Sequence, residues 1–306
     1  MTATSGSSSL TAPAEPSPAT SAASAASAAA AAEIAAFDGH AAFLARNLAT
    51  GEEIGSTPDA VMPTASTIKT LVLAALLRQV DAGLHDLDAH VPLLPEDIRG
   101  GSGILKDLSL GASLSLRDHA VLMIALSDNT STAVCVRLLG LEAILQSASD
   151  WGMHSTTGQI TRRSGPGPAR GYAASSPHDL VLLLQMIAED RLVSPEMSAI
   201  ARDILLTQQY HEQLARYLPF EPYAREGNRH AGPLVVRSKS GFMRDDSGAV
   251  RVDAGIIESG AARWVICCMA ERSAASGWGP DHPATLLNAR LSRIVYDAWG
   301  YTANTD

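Results

Sequence analysis

A serine and a lysine stand three positions apart, Ser66 and Lys69, in the stretch "PTASTIKTLVLAALL", and an apolar run with helical spacing follows them. On a helix, positions i and i+3 share a face, so this hydroxyl and this amine can meet. A serine hydroxyl is a weak nucleophile until a neighbouring base takes its proton. Lysine can be that base when burial or a second cation lowers its pKa enough to leave it neutral. The position is otherwise a poor one for a cation, because the helix dipole disfavours positive charge in the first turn. Arginine could not do the job, since it does not release its proton. This chain strongly prefers arginine: of its 23 Lys and Arg residues only Lys69, Lys106 and Lys239 are lysines. A lysine here therefore suggests a role that arginine cannot fill. Taken alone, an S-x-x-K tetrapeptide is common and specifies little.

Two further motifs accompany it. "ALSDNTS" sets Ser127, Asp128 and Asn129 at the junction of two predicted helices, and "VVRSKSGFM" sets Lys239, Ser240, Gly241 and Phe242 at the end of a predicted strand. With all three in this order the chain resembles the active-site serine family of penicillin-binding proteins and class A β-lactamases, whose signature is S-x-x-K, S-D-N and K-T-G. The third motif reads K-S-G here and keeps the hydroxyl. "GGSGILKDLSLGASLSLRDHAVLMIALSDN" also resembles the class A stretch leading into S-D-N, and the resemblance covers roughly residues 36 to 300.

That resemblance implies a role for each matching residue. Ser66 is the acylated nucleophile and Lys69 its base. Ser127 relays a proton to the leaving group, helped by the cation of Lys239, and the repulsion between the two lysines favours a neutral Lys69. Asn129 holds the substrate's amide side chain. Ser240, beside Gly241, binds a substrate carboxylate together with Lys239. The backbone N–H groups of Ser66 and Phe242 polarise the attacked carbonyl. Asp128 holds the turn through side-chain to backbone bonds. No metal or cofactor is called for.

The resemblance fails at one place. Class A enzymes carry a glutamate after S-D-N, in an E-x-x-L-N motif, that activates the deacylating water. Residues 151 to 178 here read "WGMHSTTGQITRRSGPGPARGYAASSPH", without one Asp or Glu. The stretch offers Arg162, Arg163 and Arg170, a Gly/Pro run, and the imidazoles of His154 and His178, of which His178 is expected on the surface in the first turn of a helix. The expectation is an acyl-enzyme hydrolase acting on an amide or ester, poor at turning over typical β-lactams. The alternatives are acyl transfer to another acceptor, a penicillin-binding protein that stays acylated, and a scaffold with dead chemistry. No G-x-S-x-G elbow, H-E-x-x-H zinc helix or glycine-rich phosphate loop offers another scheme.

The elements that must position these residues are legible in outline. "AAFLARNLATGEEIGS" reads as two strands about a turn at Thr50-Gly51. Ile68, Leu71, Val72, Ala75, Leu76 and Val80 recur at helical spacing up to a stop at Gly83. Ser115, with Asp118 three residues on, opens a second helix, a third runs to Gly140, and Ser176-Pro177 opens a fourth. "GPLVVRSKSG", "AVRVDAGIIES" and "RWVICCMAE" read as strands, and "PATLLNARLSRIVYDAWG" as a last helix. The expected fold is α+β, β-lactamase-like: an antiparallel sheet domain from residues 33–61 and 217–306, flanked by helices, with a helical domain of residues 62–216 inserted.

Residues 1–32, almost all Ala, Ser, Thr and Pro, are expected to form a disordered leader, with an Ala-rich end that could turn helical. They lack the basic and apolar regions of a secretory signal, which favours a cytoplasmic protein. The net charge of −9 argues against nucleic acid or anionic lipid as a partner, leaving a small-molecule or peptide-like substrate and an open oligomeric state. No stretch holds the roughly 20 apolar residues that a membrane span needs. Cys135, Cys267 and Cys268 lack the spacing of a zinc site or a disulfide framework and read as buried thiols.

Overall fold

The structure, a computed structural model, describes residues 18–158, 173–226, 229–230, 234–245 and 248–300. Its centre is a five-stranded antiparallel sheet of β1 (His40–Asn47), β2 (Glu53–Ser56), β3 (Leu234–Asp245), β4 (Gly248–Ser259) and β5 (Ala262–Ser273), in the spatial order β2-β1-β5-β4-β3. The amino-terminal strands thus pair with the carboxy-terminal ones, His40 opposite Glu271 and Asn47 opposite Trp264. Between them come α2 (Lys69–Asp81), α3 (Leu116–Ala125), α4 (Asn129–Leu139), α5 (Leu141–Asp150), α6 (Pro177–Ala188) and α7 (Pro195–Leu205). The chain closes with α8 (Pro283–Trp299), and α1 (Pro18–Ala35) precedes the sheet. This is the expected α+β, β-lactamase-like architecture.

Alternation along the strands builds two cores, because successive side chains point to opposite faces. Ala42, Leu44, Val252, Ala254, Val265, Cys267 and Met269 join the core shared with the helical insert. Phe43, Ala45, Ile257, Trp264, Ile266, Cys268 and Ala270 join the core under α1 and α8. Cys267 and Cys268 therefore lie on opposite sides of the sheet, and all three cysteines are buried free thiols. Helix α2 is buried on every side from Lys69 to Leu77, as the central helix of a bundle must be. Ser115 caps α3 by accepting from Asp118 N at 3.1 Å, and Ser176 caps α6 by accepting from Asp179 N at 3.2 Å, each followed by its apolar face. Among the described residues, no single helix is long and apolar enough to cross a membrane.

The leader requires a correction. Residues from Pro18 onward form α1, with Ala23, Ala26 and Ala30 buried in the core under α8. Alanines at i, i+3 and i+7 share one helix face, and their small side chains let α1 approach α8 and β2 closely. Residues 1–17 lie outside the described residues, as do 159–172 with Arg162, Arg163 and Arg170.

Candidate active site

The nucleophile candidate sits in a tight turn. Residues Ala65–Ile68 form a single 3-10 turn that runs directly into α2, which places Ser66 just ahead of Lys69 at the helix start. Ala65 adopts φ 46°, a left-handed conformation that a side-chain-bearing residue holds only where its surroundings impose it. Those surroundings are visible. Thr67 Oγ donates to Thr64 O at 2.7 Å, and Thr64 N and Thr64 Oγ both donate to Ala173 O at 3.0 Å. Gly241 supplies the other wall. A Cβ at Gly241 would lie 2.9 Å from Ser66 N and 2.9 Å from Thr64 O, so only glycine lets the K-S-G strand come this near the turn. That approach sets the backbone of Gly241-Phe242 beside the Ser66 N–H.

The S-D-N corner is held from all sides. Ser127 has φ 53°, and Asp128 caps α4. One carboxylate oxygen of Asp128 accepts from Ser131 N at 2.9 Å, and the other accepts from Ile104 N at 2.7 Å and Leu105 N at 2.8 Å. Asp128 thus has the structural role expected of it. Ser102, which sequence reasoning passed over, donates from Oγ to Ser127 O at 2.8 Å and accepts from Asn129 N at 3.1 Å. Asn129 Nδ2 donates to Gly100 O at 2.9 Å, which fixes the amide so that its oxygen faces inward.

Lys69 reaches into this corner, 3% exposed, and its Nζ meets three oxygens: Ser127 O at 2.6 Å, Asn129 Oδ1 at 2.8 Å and Ser127 Oγ at 3.1 Å. None of these three bonds goes to Ser66. Two of the partners can only accept, whereas a hydroxyl can also donate. An ammonium donates to all three, and a neutral amine, with two N–H groups and one lone pair, meets the same three when the Ser127 hydroxyl donates. Desolvation by burial pushes the Lys69 pKa well below the ordinary lysine value, the nearby charge of Lys239 lowers it further, and Asp128 opposes both. The arrangement therefore disfavours the charged form of an amine that lies 3.1 Å from a serine hydroxyl.

Lys239 is fully buried on β3, opposite Ala254, and donates to Ser240 O at 2.6 Å. Burial pushes its pKa down to about 7, against the pull of Asp253. Ser240 Oγ donates to Tyr210 O at 3.2 Å. Phe242 meets Tyr210 edge-on, with ring centres 6.1 Å apart. The structure thus brings Ser66, Lys69, Ser127, Asn129, Lys239, Ser240, Gly241 and Phe242 together where the helical insert meets the sheet edge.

Two more groups behind β3 escaped the sequence reading. Arg251, opposite Phe242 on β4, is buried, with its guanidinium 5.3 Å from the Phe242 ring centre and 5.2 Å from that of Trp278. Its amines donate to Val250 O and Gly277 O, both at 3.0 Å. Asp253, opposite Ser240, is buried too. The available signal was "AVRVDAGII": two charged residues at i and i+2, on one face of an otherwise apolar strand.

The segment without carboxylates closes at a neck. Thr157 and Ala174 exchange backbone hydrogen bonds of 2.9 Å. The next carboxylate in the chain, Asp179, accepts from Ser155 N and Thr156 Oγ, both at 2.8 Å, and so ties the neck to α6. His154 is exposed, and the half-exposed His178 meets Asp59 at 3.1 Å on the surface expected for it.

The sequence pattern of the beta-lactamase enzyme family matches residues 25–299. Among solved structures, a beta-lactamase from Sphaerobacter thermophilus is 27% identical with a TM-score of 0.76, covering 91% of this chain and 97% of that one. A variant of PBP-A with leucine changed to glutamate, solved as its acyl-enzyme with penicillin G, is 26% identical with a TM-score of 0.72, covering 91% and 96%. A curated relative, the beta-lactamase regulatory protein BlaB of Streptomyces cacaoi, is 27% identical over 140 residues, and the match spans 45% of this chain and 45% of BlaB, under half of that relative's length. The family pattern spans nearly the whole chain and every element around the cleft, and the protein belongs to the beta-lactamase enzyme family.

Proposed function

We propose that this protein is a serine hydrolase that works through a Ser66 ester, acts on an amide or ester, and turns over typical β-lactams poorly. The observation that carries the reading is the buried Lys69 amine, its charge disfavoured and its Nζ 3.1 Å from the Ser127 hydroxyl, at the start of the helix that Ser66 precedes. Ser66 Oγ attacks the acyl carbon while its proton passes to Lys69, directly or through Ser127. The N–H groups of Ser66 and Phe242 stabilise the oxyanion, and Gly241 supports this by allowing the two backbones to approach. On collapse the leaving nitrogen or oxygen takes a proton from Ser127, which regains one from Lys69. Asn129 and Ser240 position the substrate, with Lys239 supplying positive potential.

Slow deacylation is supported by residues 151–178, which hold no carboxylate, and by the commitment of Asp179 to the neck. The likeness to PBP-A favours, as a second reading, a penicillin-binding protein that stays acylated. Transfer of the acyl group to an acceptor other than water uses the same ester.

Fluorescent penicillin or a fluorophosphonate should label the wild type and leave Ser66→Ala unlabelled. Labelling that survives the substitution removes the central claim. With benzylpenicillin, a burst stoichiometric with enzyme and then a slow phase is expected. Sustained turnover without a burst means that a base outside the 151–178 segment activates water.

A further inference from the structure

Asp253 takes no part in the scheme above, yet it lies against its substrate-binding strand. It is 1% exposed and stands directly opposite Ser240 in the β3–β4 pairing, diagonal to Ser238. Its Oδ2 accepts from Leu214 N at 3.2 Å, and its buried Oδ1 has no hydrogen-bond partner among the described atoms. The backbone on either side of it is pinned. Gln213 Nε2 donates to Val252 O at 3.0 Å, and Asn288 Nδ2 donates to Arg251 O at 3.1 Å and to Gln213 Oε1 at 2.7 Å. The carboxyl is thus held directly across the strand pair from Ser240, with the Ser238 hydroxyl as a lesser neighbour.

We propose that Asp253 is a positioning residue that sets which way the Ser240 hydroxyl points, and with it the grip on an anionic group of the substrate. The inference rests on the reading of Ser240 as a substrate-binding residue. A hydroxyl has a single proton, and that of Ser240 is given to Tyr210 O. To hold an anion, Ser240 must turn this proton into the cleft. A protonated Asp253 donates to Ser240 Oγ and leaves the serine proton free for the substrate. An ionised Asp253 is acceptor-only, draws the serine proton to itself and turns the lone pairs toward the anion.

The change falls near neutral pH. Burial pushes the Asp253 carboxyl up to about 7, while Leu214 N–H, the Ser240 hydroxyl, Lys239 and the Ser238 hydroxyl pull the other way. The grip is therefore strong below about pH 7 and is lost as pH rises through it. The charged and titratable groups around the carboxyl are Lys239 on β3, Arg251 on its own strand, Cys267 and Cys268 on β5, and Tyr210 and Glu212 on the segment that supplies Leu214. Lys239, whose pKa is also about 7, is the one that could mimic the effect.

The test compares acylation by benzylpenicillin, a carboxylate, with acylation by its methyl ester, followed by intact-protein mass spectrometry from pH 6 to 8.5. In the wild type the preference for the acid should fall about tenfold over this range, the scale of a hydrogen bond to a charged group. The change should lie in the concentration giving half-maximal rate and not in the limiting rate. Asp253→Asn, whose amide donates at every pH, should keep its preference flat. Ser240→Ala should show a low, flat preference that Asp253→Asn does not alter further, and Ser240→Thr should restore the wild-type profile. A tenfold fall that persists in Ser240→Ala assigns the effect to Lys239 and overturns the proposal, whether or not Asp253→Asn folds. A wild-type fall in Asp253→Asn overturns it equally. Acylation of the wild type by neither compound removes the Ser66 reading itself, and this inference with it.

Discussion

The two sides of the cleft hold their lysines in different ways. Lys69 lies among oxygens of the S-D-N corner, and that corner is fixed by hydrogen bonds that end on Asp128 and Ser102. Lys239 donates within its own strand, and that strand is placed by sheet pairing and by the close approach at Gly241. One side is a polar scaffold built around a buried amine, and the other is a backbone edge carrying a second one. The difference teaches that an arginine is tolerable only on the second side. On the proposed mechanism the proton must leave Lys69, whereas Lys239 supplies positive potential.

The largest effect expected follows from this. Lys69→Arg keeps a cation but abolishes the base, so the acylation rate should fall by about 10²–10⁴, the range typical of lost acid–base catalysis. Lys239→Arg should lose much less. Equal losses measured by stopped-flow acylation would erase the distinction. Next comes Gly241→Ala, whose new methyl meets the Ser66 and Thr64 backbones at 2.9 Å. Displacing the strand should slow acylation by about 10²-fold, the cost of a misplaced reacting geometry, with little change in substrate affinity.

Asp128→Ala tests the polar scaffold. It strands the N–H groups of Ser131, Ile104 and Leu105, and a loss of about 3 kcal/mol is expected from denaturant unfolding, taking about 1 kcal/mol for each bond. The smallest effect sharpens the other side. The folded pKa of Lys239 is about 7, against the ordinary lysine value of 10.5 when unfolded, so between these values the unfolded chain binds the extra proton. Wild-type stability from this group therefore rises with pH from about 7 to 10.5. Lys239→Met should unfold at a higher temperature than the wild type at pH 6, with the gap narrowing by pH 9, while acylation is lost. A variant less stable than the wild type at pH 6 would show that the buried charge is well compensated.

Much of the placement of these residues is legible in the sequence because the proposed chemistry requires particular side chains at short spacing. Ser66 and Lys69 had to share a helix face, and Asp128 had to cap a helix. Arg251 and Asp253 are different, since they meet Phe242 and Ser240 only through strand pairing. No local spacing encodes a partner on another strand, and the alternation of "AVRVDAGII" was the one trace left. Helix α1 was expected only as an Ala-rich end that could turn helical, and its packing left no trace in the sequence because Ala23, Ala26 and Ala30 make their contact by being small. The role expected of residues 151–178 rested on an absence in the sequence, and half of that segment, 159–172, lies outside the described residues.

The pairing of β1 with β5 carries a consequence for how the protein is made. His40 waits for Glu271, so during synthesis the helix that Ser66 precedes emerges long before the strand that completes the sheet. Pairings so distant in sequence are slow to form, and they leave edges and apolar faces open in the meantime. The K-S-G strand joins through β4 and then β5, so Ser66 receives its second wall only after nearly the whole chain has left the ribosome. A nascent chain stalled before β5 should carry Ser66 and Lys69 and yet be inert, which makes acylation a reporter of completed folding.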